Sequence, residues 1–118
     1  MAWVIWHKPT CSTSRWVLAA LREAGIAPEL RDYIAAPPSE AELRDALRQL
    51  GMDARGLIRR KGTPFAELGL GDPALSEDAL IAAMATHPIL IERPVVFAPR
   101  AALLCRPKER VLELIAAA

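Results

Sequence analysis

Val4-Ile5-Trp6-His7-Lys8-Pro9-Thr10-Cys11-Ser12-Thr13-Ser14-Arg15 is the stretch from which the fold reads outward. Val4, Ile5 and Trp6 form a short β-branched and aromatic run that suits a buried strand. The run stops at His7-Lys8-Pro9, because Pro9 has no N–H to give to a sheet ladder. Beyond Cys11, Val17, Leu18, Leu21 and Ala24 recur at helical spacing up to Gly25, a natural helix stop. Cys11 therefore falls in a strand-to-helix turn, close to a helix N-terminus. Unpaired N–H groups and nearby cations at such a position lower a thiol pKa and favour the nucleophilic thiolate. The same stretch supplies hydroxyls and basic groups. Free cysteine is also a common core residue, so pattern alone leaves a buried structural thiol open.

Residues 29–34 suit a second strand, returning parallel to the first through the helix. Pro37 and Pro38 then break the chain, and Ser39 with Glu42 has the spacing of a capping box. Leu43, Ala46, Leu47 and Leu50 give the next helix an apolar face that ends at Gly51. A short helical segment is expected over residues 57–60, and a helical turn or loop over 64–70. Ser76 caps a further helix with Leu80, Ile81 and Met84 inward, and His87 with Pro88 closes it. Val95, Val96 and Phe97, then residues 101–104, read as two strands joined by a turn around Pro99 and Arg100. Pro107 suits the first position of a last helix whose buried face is Val111, Leu112 and Ile115. The order is β-α-β, a helical stretch, then β-β-α. That order predicts an α/β, thioredoxin-like (glutaredoxin-like) core: a mixed sheet of about four strands flanked by helices. Residues 1–118 form a single domain, with a helical insertion at approximately 39–85 between the two halves.

The bulk numbers agree with one compact domain. The 118 residues are 53% hydrophobic, enough for a core without covalent staples. Fifteen basic and fourteen acidic residues leave a formal charge of +1, which predicts neither nucleic-acid nor membrane binding. Any anion must be held by a local group of arginines. Two cysteines, Cys11 and Cys105, read as reduced cytoplasmic thiols. No leader pattern opens the chain, and no apolar stretch is long enough to span a bilayer.

Arg59, Arg93 and Arg106 each lie in an apolar context beside an element end. Guanidinium forks bind tetrahedral oxyanions in bidentate fashion. A lone arginine is usually a solvated surface residue, and nothing in the spacing makes these three converge. Pro94, after Arg93, opens the third strand and is a candidate for a structural cis bond. No metal is expected, since His7, Cys11, His87 and Cys105 lack any standard ligand spacing. Ser14 stands three residues after Cys11, so a Cys-x-x-Cys dithiol is absent.

Together these residues resemble the glutaredoxin-linked arsenate reductases, the ArsC-like family related to Spx-type proteins. The resemblance rests on His7-x-Pro9-x-Cys11-x-Thr13-Ser14-Arg15. It also rests, in order, on Pro37-Pro38, the arginines at 55 and 59, Glu67-Leu68-Gly69-Leu70, His87-Pro88-Ile89-Leu90-Ile91, Arg93-Pro94-Val95-Val96 and Leu104-Cys105-Arg106-Pro107. It implies that Cys11 attacks arsenate, that His7 helps hold its thiolate, and that Ser14 donates a hydrogen bond. It implies an oxyanion site of Arg59, Arg93 and Arg106, Arg59 being the arginine the family pattern selects over Arg55 and Arg60. Glutathione is the implied co-substrate and glutaredoxin the implied protein partner, with no metal or bound organic cofactor. The expected species is a cytoplasmic monomer. Two departures are visible: Ser12 replaces a glycine of well-known members, and the chain ends just after its last helix, where some members carry a longer tail. Cys105 is read as a bystander and not a resolving thiol. Two other readings share the site: a regulator binding RNA polymerase like the Spx-type proteins, and a glutathione-linked thiol reductase acting on another substrate.

Overall fold

The computed structural model describes residues 2–118. Two compact units emerge: the described residues up to Ala36 together with Arg93–Ala118, and Pro37–Glu92.

The first unit is built on a four-stranded sheet in the order β2-β1-β3-β4, with β1 Val4–His7, β2 Glu29–Asp32, β3 Val95–Phe97 and β4 Ala102–Leu104. β1 pairs parallel to β2 and antiparallel to β3, and β3 pairs antiparallel to β4. This is the mixed, thioredoxin-like sheet expected from the β-α-β and β-β-α halves. Central strands bury both faces, so β1 and β3 carry the fully buried Ile5, Val95 and Val96. β2 stops at Asp32 and does not run on to residue 34. The reason is local: Asp32 Oδ1 accepts the N–H groups of Ile34 and Ala35, each at 3.1 Å, which turns the chain out of the ladder.

Helix α1, Ser12–Glu23, lays Val17, Leu18 and Leu21 against Ile5, Val96, Val111 and Leu114. Burying each such side chain is worth about 1.5–3 kcal/mol, which pins the face of α1 and hence the direction of its N-terminus. The Arg93–Pro94 and Arg106–Pro107 peptides are both cis. Pro107 does not open the last helix: it stands before a 3-10 turn, Lys108–Arg110, that leads into α5, Val111–Ala117. The buried face of α5 is Val111 and Leu114 with Ile115 partly covered, whereas Leu112 is 51% exposed. Residues three and four apart share a helix face, and Leu112 lies about 100° from Val111.

Cys105 is fully buried in this core, and its thiol donates to the Leu103 carbonyl at 3.8 Å. Burial pushes its pKa from 9.0 up to about 12, so it remains a protonated, inert thiol at neutral pH. A raised folded-state pKa contributes stability that is complete below the unfolded value and is lost as pH climbs through the folded one. Between pH 9.0 and about 12 the native state should therefore lose stability progressively through this group, because the unfolded chain releases the proton first. Thermal melts of wild type and Cys105→Ala across that range should show a shallower alkaline decline in the variant. Parallel declines would remove Cys105 from the account.

The second unit is helical: α2 Glu40–Leu50, α3 Ala54–Leu57 and α4 Glu77–Thr86. Ser39 and Glu42 close a reciprocal capping box at α2, and Gly51 ends it in the left-handed region at φ 67°. α3 forms three residues earlier than the expected 57–60. Asp53 caps it through the Gly56 N–H at 3.0 Å, and Ile58 leaves to make an isolated antiparallel bridge with Ile91. Residues 64–70 are a run of turns. Ser76 caps α4, which buries Leu80, Ile81 and Met84. Among the described residues no helix is long and apolar enough to cross a membrane.

Candidate active site

Cys11 is the N-cap residue of α1: its backbone is extended, and its carbonyl accepts the first helical bond from Arg15 N–H at 3.0 Å. Its own N–H donates to the Lys8 carbonyl at 2.9 Å, so the loop after β1 is closed on both sides of the thiol. The sulfur is partly exposed. Burial raises its pKa, but the Ser14 N–H, the Arg93 guanidinium and the Thr13 N–H pull it the other way and leave it below 9.0. These donors stabilise the anion more than the neutral thiol.

Two arginines converge on the sulfur within this unit. Arg106 donates from Nη2 to Cys11 Sγ at 3.6 Å, while its Nε donates to the Arg93 carbonyl at 2.7 Å. The second bond ties Arg106 to the cis Arg93–Pro94 peptide, which fixes the fork. Arg93 itself is only 8% exposed, and its guanidinium lies against Cys11. A buried cation needs an anion or several acceptors nearby, and a thiolate is one such anion.

His7 and Ser14 lie behind the loop, both buried. His7 Nδ1 and Ser14 Oγ are 2.6 Å apart, and Ser14 Oγ also accepts the Lys8 N–H at 3.1 Å. Burial lowers the His7 pKa, Asp32 raises it, and Arg22 and Arg15 lower it further, leaving it below 6.5. Neutral imidazole is therefore the dominant form at neutral pH. The Ser14 hydroxyl is engaged with His7, whereas its backbone N–H serves the Cys11 sulfur.

Arg59 belongs to the second unit. There its Nη1 donates to Glu92 Oε1 at 2.8 Å and its Nε to the Lys61 carbonyl at 3.0 Å. Both partners of the ion pair are largely covered, at 16% and 19% side-chain exposure, so solvent screens it incompletely. Arg55 is tied instead to the carbonyls of Leu70 and Asp72. Reasoning from the sequence missed Asp32 and Glu92. Asp32 is the β-register partner of His7, and Glu92 precedes Arg93. Among the described residues no three His, Cys, Asp or Glu side chains gather to hold a metal.

A thiolate flanked by N–H donors and guanidinium groups is suited to attack an electrophilic centre that carries anionic oxygens. Thiolate and substrate would otherwise repel, and fixed positive charge offsets this. The model of the ArsC family matches residues 6–114. The chain is 52% identical to an arsenate reductase of Rhizobium meliloti (strain 1021), over 98% of this chain and 82% of that protein. It is 41% identical to an arsenate reductase of Escherichia coli (strain K12), over 94% of this chain and 79% of the relative. The solved structure of an arsenate reductase from Vibrio cholerae superposes with a TM-score of 0.91 at 49% identity, covering 96% of this chain and 97% of the other.

Proposed function

From the premise that this chain belongs to the ArsC family, we propose that it is an arsenate reductase with Cys11 as nucleophile. The observation that carries this reading is the pair of guanidinium groups, Arg93 and Arg106, on a partly exposed sulfur whose pKa is lowered. The Cys11 thiolate attacks arsenic(V), and one arsenate oxygen leaves as water with protons drawn from solvent. Arg93 and Arg106 hold the remaining oxygens, joined by Arg59 on the strength of the family pattern. The thiolate of glutathione then attacks the Cys11 sulfur. The S–As bond breaks with its electron pair staying on arsenic, which leaves as arsenite, As(III), while Cys11 and glutathione form a mixed disulfide. The thiol of glutaredoxin attacks the glutathione sulfur of that disulfide and returns Cys11 as thiolate.

Two thiols supply the two electrons, and Cys105 takes no part, since it is buried and protonated. The enzyme works as a cytoplasmic monomer without metal, as a single domain into which residues at about 39–85 are inserted. Arsenite release measured with arsenate, glutathione and glutaredoxin should require all three. Turnover that persists without glutathione, or no turnover with the full set, would overturn this reading.

A further inference from the structure

The Ser14 hydroxyl has one proton to donate and two neighbours on its oxygen. It accepts the Lys8 N–H at 3.1 Å, which occupies one lone pair. It meets His7 Nδ1 at 2.6 Å, and the direction of that bond depends on whether Nδ1 carries a proton. With Nδ1 bare, Ser14 donates to the imidazole. With Nδ1 protonated, the imidazole donates, and the Ser14 O–H is released. Ser14 is the third residue of α1 and Cys11 its N-cap, the spacing at which a third-position side chain reaches back to the cap residue. The Ser14 N–H already serves the Cys11 sulfur, so the hydroxyl belongs to the residue that sits beside the thiol.

His7 and Asp32 are register partners on the parallel strands β1 and β2, and such partners project to one face of the sheet. Oδ1 of Asp32 is held by the N–H groups of Ile34 and Ala35, so the carboxylate is fixed in place. On the other side, His7 lines a groove of about 500 Å³ with Pro9, Arg15, Leu18, Arg22 and Glu23, which gives the imidazole a path to water. The charged groups facing His7 are thus Asp32 from β2 and Arg15, Arg22 and Glu23 from α1, with Lys8 adjacent in the loop. The two arginines disfavour the imidazolium, and Asp32 favours it.

We propose that Asp32 is a positioning residue of this site: acting through His7, it governs whether the Ser14 hydroxyl faces the imidazole or the Cys11 sulfur. This rests on Cys11 being the nucleophile but not on arsenate being the substrate. Cys11 ionisation is then linked to His7: protonating His7 frees a donor for the thiolate, so the thiolate persists to lower pH than it would alone.

The test is the pH profile of Cys11 alkylation by iodoacetamide, read beside His7 imidazole shifts by NMR. Asp32→Asn retains an Oδ1 for the two turn N–H groups and so keeps the fold. It should move the His7 midpoint to lower pH and slow alkylation several-fold between the old and new midpoints. Asp32→Glu should restore both, and in a Ser14→Ala background Asp32→Asn should no longer slow alkylation. A carboxylate acting only through its own charge has the opposite sign, because removing it would favour the thiolate and speed alkylation. Faster alkylation in Asp32→Asn, an unmoved His7 midpoint, or an equal slowing in the Ser14→Ala background would each overturn the proposal. Arsenate turnover enters none of these readouts, so failure here and failure of the substrate assignment are separately visible.

Discussion

Cys11→Ser should abolish arsenite formation while leaving the protein as stable as wild type. Serine is among the best N-cap residues, worth up to about 1 kcal/mol over a poor cap, and Cys11 occupies the N-cap of α1. The fold therefore tolerates the change or gains from it. The chemistry does not, because a serine hydroxyl is not ionised under conditions where a lowered thiol is, and the attack on arsenic needs the anion. Removing a covalent nucleophile typically costs on the order of 10⁴-fold or more in turnover. Arsenite release together with a thermal melt decides the matter. Unchanged melting with no arsenite is the expected pair. Turnover within about tenfold of wild type would move the nucleophile elsewhere on the chain.

Arg93→Ala should depress kcat/KM for arsenate by about 10²–10³-fold, the usual cost of losing one preorganised donor to a developing oxyanion. It should also shift Cys11 alkylation to higher pH, because the guanidinium both hydrogen-bonds the sulfur and attracts its charge. The two effects have different readouts, and their combination distinguishes a site residue from a structural one. Since Arg93 is buried, the truncation leaves a void, and Arg93→Lys serves as a companion. Lysine preserves the charge but not the fork, so it should retain the low alkylation midpoint while losing most of the arsenate use. Wild-type kinetics in both variants would take Arg93 out of the site.

Much of the framework was legible in the chain. The β-branched run before Pro9, the helical spacing after Cys11 and the Ser39/Glu42 box are local patterns, and local sterics and capping decide them. The places where expectation and structure part are the places where a distant or competing bond wins. A short helix was expected over residues 57–60, but Asp53 starts the helix earlier and Ile91 claims Ile58 as a bridge partner. β2 was expected to reach residue 34, but the Asp32 side chain outcompetes the ladder for two N–H groups. In α5, Leu112 and Leu114 are both apolar, and only packing against α1 selects Leu114 for the core.

The candidate site divides in the same way. Cys11 at a helix start is a one-dimensional fact, since a strand, a proline and a helical repeat follow one another within a single short stretch. The partners of Cys11 are not. Arg106 is 95 residues away in sequence and comes within 3.6 Å of the sulfur only because β3 returns beside β1 and β4 beside β3. Asp32 meets His7 because parallel pairing has one register out of several that the sequence allows. By itself, then, the sequence determined the elements, their order and the position of the thiol at the head of α1, because backbone sterics, periodicity and capping act over a few residues. Only the tertiary structure decided which charges meet that thiol and which cysteine is sealed in the core, because such contacts depend on chain crossings whose register no local pattern encodes.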